Sequence, residues 1–316
     1  SSDLYQLTFI AGVTMKVDDI NFKFFHINKW DNGEFKGDAI STTSELVKIS
    51  SDGNLGLEEG QKFERGGIYR FTVDVTKGNT KAVLTVEKVG KVDLPAPDIF
   101  FGNDKMEVTD TDIYKSDQAF TQGQMITVTG IDNLNEWWID PDFFEKQSDG
   151  ALKFLPINGD YRVTANAVLK YFSVMALKDG KPAKLQDDGT GAIWAIGKGI
   201  GKPSVTSSEV GWEPSKALCL AQVASKKYQL TLKAGETLKT SGDPEVISFK
   251  FFHQNDWGGE FGNYASSILV EQLKLADSGN LEMQDNKAFE EGAVYRFTID
   301  VTNGNANADL KVEKIN

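Results

Sequence analysis

Six tryptophans carry most of the chemistry this sequence suggests. Trp30, Trp137, Trp138, Trp212 and Trp257 lie in polar, acidic or glycine-rich strings: Lys29-Trp30-Asp31-Asn32-Gly33, Glu136-Trp137-Trp138, Gly211-Trp212-Glu213-Pro214 and Asp256-Trp257-Gly258-Gly259. An indole at a loop or strand end can pack its flat face against the C–H side of a pyranose ring. Nearby Asn, Asp, Lys and backbone groups would then bond the hydroxyls. The competing reading is that these rings plug sheet ends as ordinary core. Trp194, between Ile193 and Ala195 in an apolar run, reads as core. Lys198 and Lys202, in the glycine-rich string that follows it, are candidate hydroxyl partners, with solvated lysines as the alternative.

Other chemistries have weaker support. The string Gly197-Lys198-Gly199-Ile200-Gly201-Lys202-Pro203-Ser204 has the wrong spacing for a phosphate-binding loop, which needs four residues before Gly-Lys and then a helix. His26 and His253 are the only histidines, and neither has the neighbours a metal site needs, so no cofactor or metal is expected. Both read as structural, with a hydrogen bond to a sugar as the alternative. Cys219, the single cysteine, lies in an apolar stretch and reads as a buried thiol. Asp140, Asp142, Glu34 and Glu260 keep a paired-acid glycosidase open, but each stands as a single acid in a loop. Asp187-Asp188-Gly189 is too short for a calcium loop.

The elements that would position these residues are strands. Tyr69, Phe71, Val73 and Val75 alternate with Arg70, Thr72, Asp74 and Thr76, the period-2 pattern of a strand with one buried face. A turn at Lys77-Gly78-Asn79 leads to Ala82, Leu84 and Val86, so the pair reads as a hairpin. The same hairpin returns at Tyr295–Val301 with Leu310 and Val312. Residues 20–30 (INFKFFHINKW) and 247–257 (ISFKFFHQNDW) are identical at eight of eleven positions. A repeat of this length is the first thing to settle in reading a fold. A fainter third copy, Gly159-Asp160-Tyr161-Arg162-Val163-Thr164, lies in the middle of the chain. Frequent turns and no helix longer than two turns predict an all-β chain of tandem immunoglobulin-like β-sandwich modules over 1–91, 92–188 and 189–316. Val92–Pro97 and Gln186–Gly191 read as the linkers.

The copies differ at one place. The C-terminal module has a lead-in over 191–223 that the first lacks, because Tyr5-Gln6-Leu7-Thr8 aligns directly with Tyr228-Gln229-Leu230-Thr231. The preferred expectation is that the first module's opening strands lie upstream of Ser1, since missing strands would leave an open sheet edge.

Composition sets further bounds. The 316 residues carry a net charge of −12, which argues against nucleic acid, because phosphate neutralisation needs clustered Lys and Arg. No apolar run is long enough to span a membrane. One cysteine rules out an intramolecular disulfide. Duplication favours binding over catalysis, because linked sites gain avidity without new contacts.

The strand Ile193-Trp194-Ala195-Ile196-Gly197, the glycine-rich loop, Gly211-Trp212, the FKFF strand and the Trp257-Gly258 loop together resemble the SusE/SusF-like outer-membrane lipoproteins of Bacteroidetes. The likeness is clearest over 189–316, returns over 1–91 and is weaker over 92–188. It implies a non-catalytic cell-surface protein that captures glycan for uptake. Such a protein would be lipid-anchored through an N-terminal cysteine absent here, and would act with an outer-membrane transporter and a second glycan-binding lipoprotein. The aromatic platform carries over to Trp212 and Trp257, with Lys198 or Lys202 beside it. Trp30 lacks the Gly-Trp half of the motif, and the Trp137-Trp138 module lacks FKFF and reads as a spacer. A structural or adhesive protein is the alternative, and an enzyme comes third.

Overall fold

The alternation at 67–74 becomes a strand that buries every second side chain. Tyr69, Phe71 and Val73 face the core, joined by Ala82, Leu84 and Val86 from the next strand. The two strands pair antiparallel, Phe71 opposite Val86 and Val73 opposite Leu84. The computed structural model describes residues 3–30, 33–131, 133–241 and 246–316. Asp31 and Asn32, part of the polar string after Trp30, lie outside the described residues. The fold is all-β, as the periodicity predicts, and its one α-helix among the described residues is the single turn Val205–Ser208.

The chain divides into two compact units, 1–96 and 97–316, so the Val92–Pro97 linker falls at the division. In the first unit a four-stranded sheet runs Leu4–Ile10, Gly67–Asp74, Ala82–Lys91, Ile40–Thr42, the last strand parallel to its neighbour. The hairpin Val47–Ile49 with Leu55–Leu57 contributes Val47 and Leu55 to the same core as Phe71 and Leu84.

The second unit holds both remaining modules. The C-terminal one repeats the first sheet in the order Ala221–Ala224, Lys227–Lys233, Val294–Asp300, Asp309–Lys314, Ser266–Ile268. Its other sheet runs Glu209–Gly211, Trp194–Gly201, Ser248–Phe252, Leu281–Met283, Leu273–Leu275. The middle module builds a five-stranded sheet around Ile113–Phe120, Gly159–Asn166 and Tyr171–Lys178. All three modules keep one aromatic pair. Phe63 meets Tyr69 edge-on at 4.7 Å, Phe154 meets Tyr161 at 4.9 Å, and Phe289 meets Tyr295 at 4.7 Å.

The middle and C-terminal modules are not separate beads. Their apolar side chains form one continuous core, from Phe101 and Phe172 through Trp194 to Phe249 and Phe297. The segment 186–191, which reads as a linker, is a tied turn. Gln186 N donates to Thr190 O, Tyr228 Oη donates to Gly189 O, and Asn305 Nδ2 donates to Gln186 O. Trp194 is core, as expected. Its ring is fully buried, and its Nε1 donates to Ala183 O at 3.0 Å.

Cys219 is buried in this shared core, and desolvation pushes its thiol pKa up to about 12. A thiol that stays protonated is a poor nucleophile. Native protein at pH 8 should therefore leave Ellman's reagent essentially unconsumed over minutes, whereas urea-unfolded protein consumes one equivalent. Rapid reaction of the native protein would contradict the buried placement.

Candidate functional site

Trp212, in the lead-in of the C-terminal module, and Trp257, in the loop after its FKFF strand, meet at one place. Trp212 follows the short strand Glu209–Gly211, whose Gly211 pairs with Gly197 of Trp194–Gly201. Trp257 sits in the turn after Ser248–Phe252, which pairs with the other edge of Trp194–Gly201. A central strand thus carries one indole on each flank. The two rings lie near-parallel, at 26° with centroids 6.2 Å apart. Trp257 is 52% exposed and its ring meets Phe252 edge-on, while Trp212 is half-buried against the core.

The Trp257 loop is held in shape. Asp256 Oδ1 accepts from Trp257 N at 2.8 Å, and Gln254 Nε2 donates to Trp257 O at 2.6 Å. Gly258 and Gly259 take positive φ, +84° and +69°, which L-residues rarely adopt. On the other flank, Glu213 pairs with Lys216 at 3.0 Å. The arrangement is a fixed aromatic surface edged with carboxylate, amide and ammonium groups. Lys198, exposed on the central strand, lies in the field of Glu209. Burial pushes the Glu209 carboxyl up, but the Gly199 amide, Lys239 and Lys198 together hold it below the usual carboxylate range.

Three of the expected site residues lie elsewhere. Lys202 is buried, with its Nζ 2.8 Å from Asp140 Oδ2 and 3.1 Å from Asp142 Oδ2. It bridges the middle and C-terminal modules and cannot reach a ligand hydroxyl. Trp137 is buried and stacks on Phe172 at 4.5 Å. Trp138 packs edge-on to Tyr171, donates from Nε1 to Glu236 Oε1 at 2.6 Å, and lies 5.9 Å below the Lys202 ammonium. Trp138 therefore serves the junction, Trp137 packs within the middle module, and neither forms an open platform. Asp140 and Asp142 are brought together, but both are sealed from solvent, so a substrate cannot enter between them. Trp30 is 77% exposed and leans edge-on against Phe25. It matches Trp257 in the repeat, with no second indole beside it among the described residues.

The histidines behave as structural groups. His253 packs on Phe261 at 4.3 Å, its backbone N donates to Gly259 O, and burial lowers its pKa. His26 packs on Phe35 in the same way. Among the described residues no helix is long and apolar enough to cross a membrane.

Against models of protein families, residues 1–76 and 188–302 match a domain of unknown function, DUF5121. The chain belongs to this family. The two DUF5121 segments coincide with the duplicated sequence, and the second includes the lead-in that carries Trp212. Residues 92–185 match a different domain of unknown function, DUF5125, in keeping with the fainter likeness of the middle module. No curated protein matches the chain.

Proposed function

We propose that this protein binds polysaccharide or oligosaccharide without chemical turnover, through the Trp212–Trp257 surface, and serves glycan capture at the cell surface. The observation that carries this reading is the convergence of two near-parallel indoles, one of them half exposed and carried on a loop fixed by its own hydrogen bonds. A sugar's C–H face gains dispersion and burial on such a surface, and the surrounding polar groups replace water at its hydroxyls. A shallow platform buries little of its ligand, so single-site affinity is on the order of millimolar to micromolar. Trp30 offers one ring only and is the weaker site. The lipid anchor, the transporter and the second glycan-binding lipoprotein implied by the SusE/SusF likeness belong to this proposal.

Affinity electrophoresis against a panel of polysaccharides tests it. Retardation by one glycan class is expected, with Trp257→Ala or Trp212→Ala weakening it at least about tenfold, the equivalent of about 1.4 kcal/mol. Trp30→Ala should change it far less. If no glycan retards the wild type, the proposal fails. A structural or adhesive role is the second reading, favoured by the exposed apolar edge Leu4, Tyr5 and Leu7 of the first unit.

A further inference from the structure

The Trp257 loop closes on itself but does not aim itself. At its neck His253 N donates to Gly259 O, and Phe252 bridges to Glu260. With the Gln254 and Asp256 bonds inside the turn, these contacts fix the loop's shape. Its direction toward Trp212 depends on what holds the neck. Two groups are decisive there: the His253 carbonyl, and the Phe252 ring that Trp257 meets edge-on, centroids 6.0 Å apart.

Both are held from the middle module. Leu185 N donates to His253 O at 2.8 Å. Two residues earlier, Ala183 O accepts from Trp194 Nε1 at 3.0 Å, and Trp194 lies directly opposite Phe252 in the sheet. One short segment therefore grips the neck at two neighbouring points. The segment is itself anchored. Lys181–Pro182 pairs with the strand Tyr171–Lys178, Ala183 N donates to Ala176 O at 2.9 Å, and Ala183 and Leu185 are buried. Moving it would leave the Ala183 carbonyl and the Leu185 amide buried without partners, a cost well above what either bond contributes net.

We propose that Ala183–Leu185 is a positioning strap for the glycan platform: the middle module, which reads in sequence as a spacer, aims the Trp257 loop at Trp212. The proposal rests on the binding reading above. Ala183, Leu185 and Trp194 are positioning residues, because they act through His253 and Phe252 and neither of their bonds involves Trp212 or Trp257. The site is thereby shared between a DUF5121 and a DUF5125 module. A ligand that binds only the aimed loop must in turn stabilise the strap, since coupling between two sites is reciprocal.

Hydrogen exchange at single amides of the full chain tests this. Strap and loop should open as one unit, so protection at Leu185 and His253, corrected for intrinsic rates, should agree within about fivefold. Trp194→Phe removes the indole donor but keeps an aromatic ring, and should speed exchange at both amides at least about tenfold, the effect of losing a buried hydrogen bond. The third arm adds oligosaccharides of α-glucan, β-glucan, xylan or pectin. At about ten times its dissociation constant, the one that binds should slow both amides about tenfold, although Leu185 lies outside the platform. Three results would overturn the proposal: a larger difference between the two wild-type amides, unchanged exchange at His253 in Trp194→Phe, or an oligosaccharide that slows His253 and not Leu185. If no oligosaccharide slows either amide and no polysaccharide retards the protein, the binding reading fails, and the first two arms still decide whether the strap holds the loop.

Discussion

Lys202→Met lowers the melting temperature of the 97–316 unit by about 6–20 °C, read by calorimetry with the 1–96 unit as internal reference. Breaking a buried ion pair by removing one partner costs about 3–5 kcal/mol, and each kcal/mol is worth about 2–4 °C in a unit of this size. The physical reason is that two buried carboxylates lose the one cation paired with them among the described residues. Asp142 retains Thr231 N and Oγ1, each at 2.6 Å, and Gln229 Nε2 at 2.7 Å. Among the described residues Asp140 retains only the Asp142 amide, at 3.0 Å. Adding Asp140→Asn to Lys202→Met removes the less supported charge and should recover part of the loss. A shift of the single variant under about 2 °C would mean that the triad contributes less than one kcal/mol, and the account of the junction would fall.

The same triad sets a pH dependence. Burial opposes the Lys202 charge, yet the two carboxylates outweigh it and hold its pKa above the ordinary lysine value. A raised pKa gives stability that is complete below the unfolded value, about 10.4, and is lost as pH rises through the higher folded one. The wild-type advantage over Lys202→Met should therefore be steady from neutral pH upward and shrink only in strong alkali. In acid two contributions oppose each other. Burial pushes Asp142 up, but Lys202 and its hydrogen bonds win and hold it low, so its contribution is lost as pH falls through that lowered value. Burial dominates at Asp140, with the Asp142 charge adding to it, and raises its pKa. Protonating Asp140 on the way down thus partly offsets the loss at Asp142.

Gly197→Ala is the second large effect. Its φ of +143° is one that L-residues rarely adopt, and the added Cβ would collide with backbone of the neighbouring strand, not with a side chain that could swing away. Strain and overpacking together cost at least about 3 kcal/mol, or about 6–12 °C on the 97–316 transition. Because Gly197 also pairs with Gly211, next to Trp212, glycan retardation should weaken in the same variant. Gly150→Ala is the control, since Gly150 also has positive φ but opens onto free space. If the two variants melt together, close strand approach at Gly197 is not what holds the sheet.

Much of this was legible in the chain. Alternation at Tyr69, Phe71 and Val73, repeated at Tyr295, Phe297 and Ile299, predicts the strands because a half-buried strand must alternate. The duplication predicts two modules with one topology, while the bringing together of Trp212 and Trp257 was implied by the SusE/SusF-like resemblance and not by local pattern. Trp194 reads as core from its apolar neighbours alone. Local pattern is enough in these cases because each depends on residues close in sequence or on a copied segment.

Trp137, Trp138 and Lys202 defeated that logic. Their neighbours in sequence are polar or glycine-rich, as at an exposed site, but groups distant in sequence bury them: Phe172 covers Trp137, Tyr171 and Glu236 hold Trp138, and Asp140 and Asp142 of the middle module enclose Lys202. A lysine string looks solvated until the carboxylates that neutralise it are placed in space. The Gln186–Gly191 turn reads as a linker for the same reason, since the groups that tie it, Tyr228 and Asn305, are distant in sequence. The sequence alone determined the strands, the repeat and the candidate rings, all consequences of short-range periodicity. Only the tertiary structure decided which rings stay open, because exposure depends on what packs across a module boundary, and no local spacing encodes that.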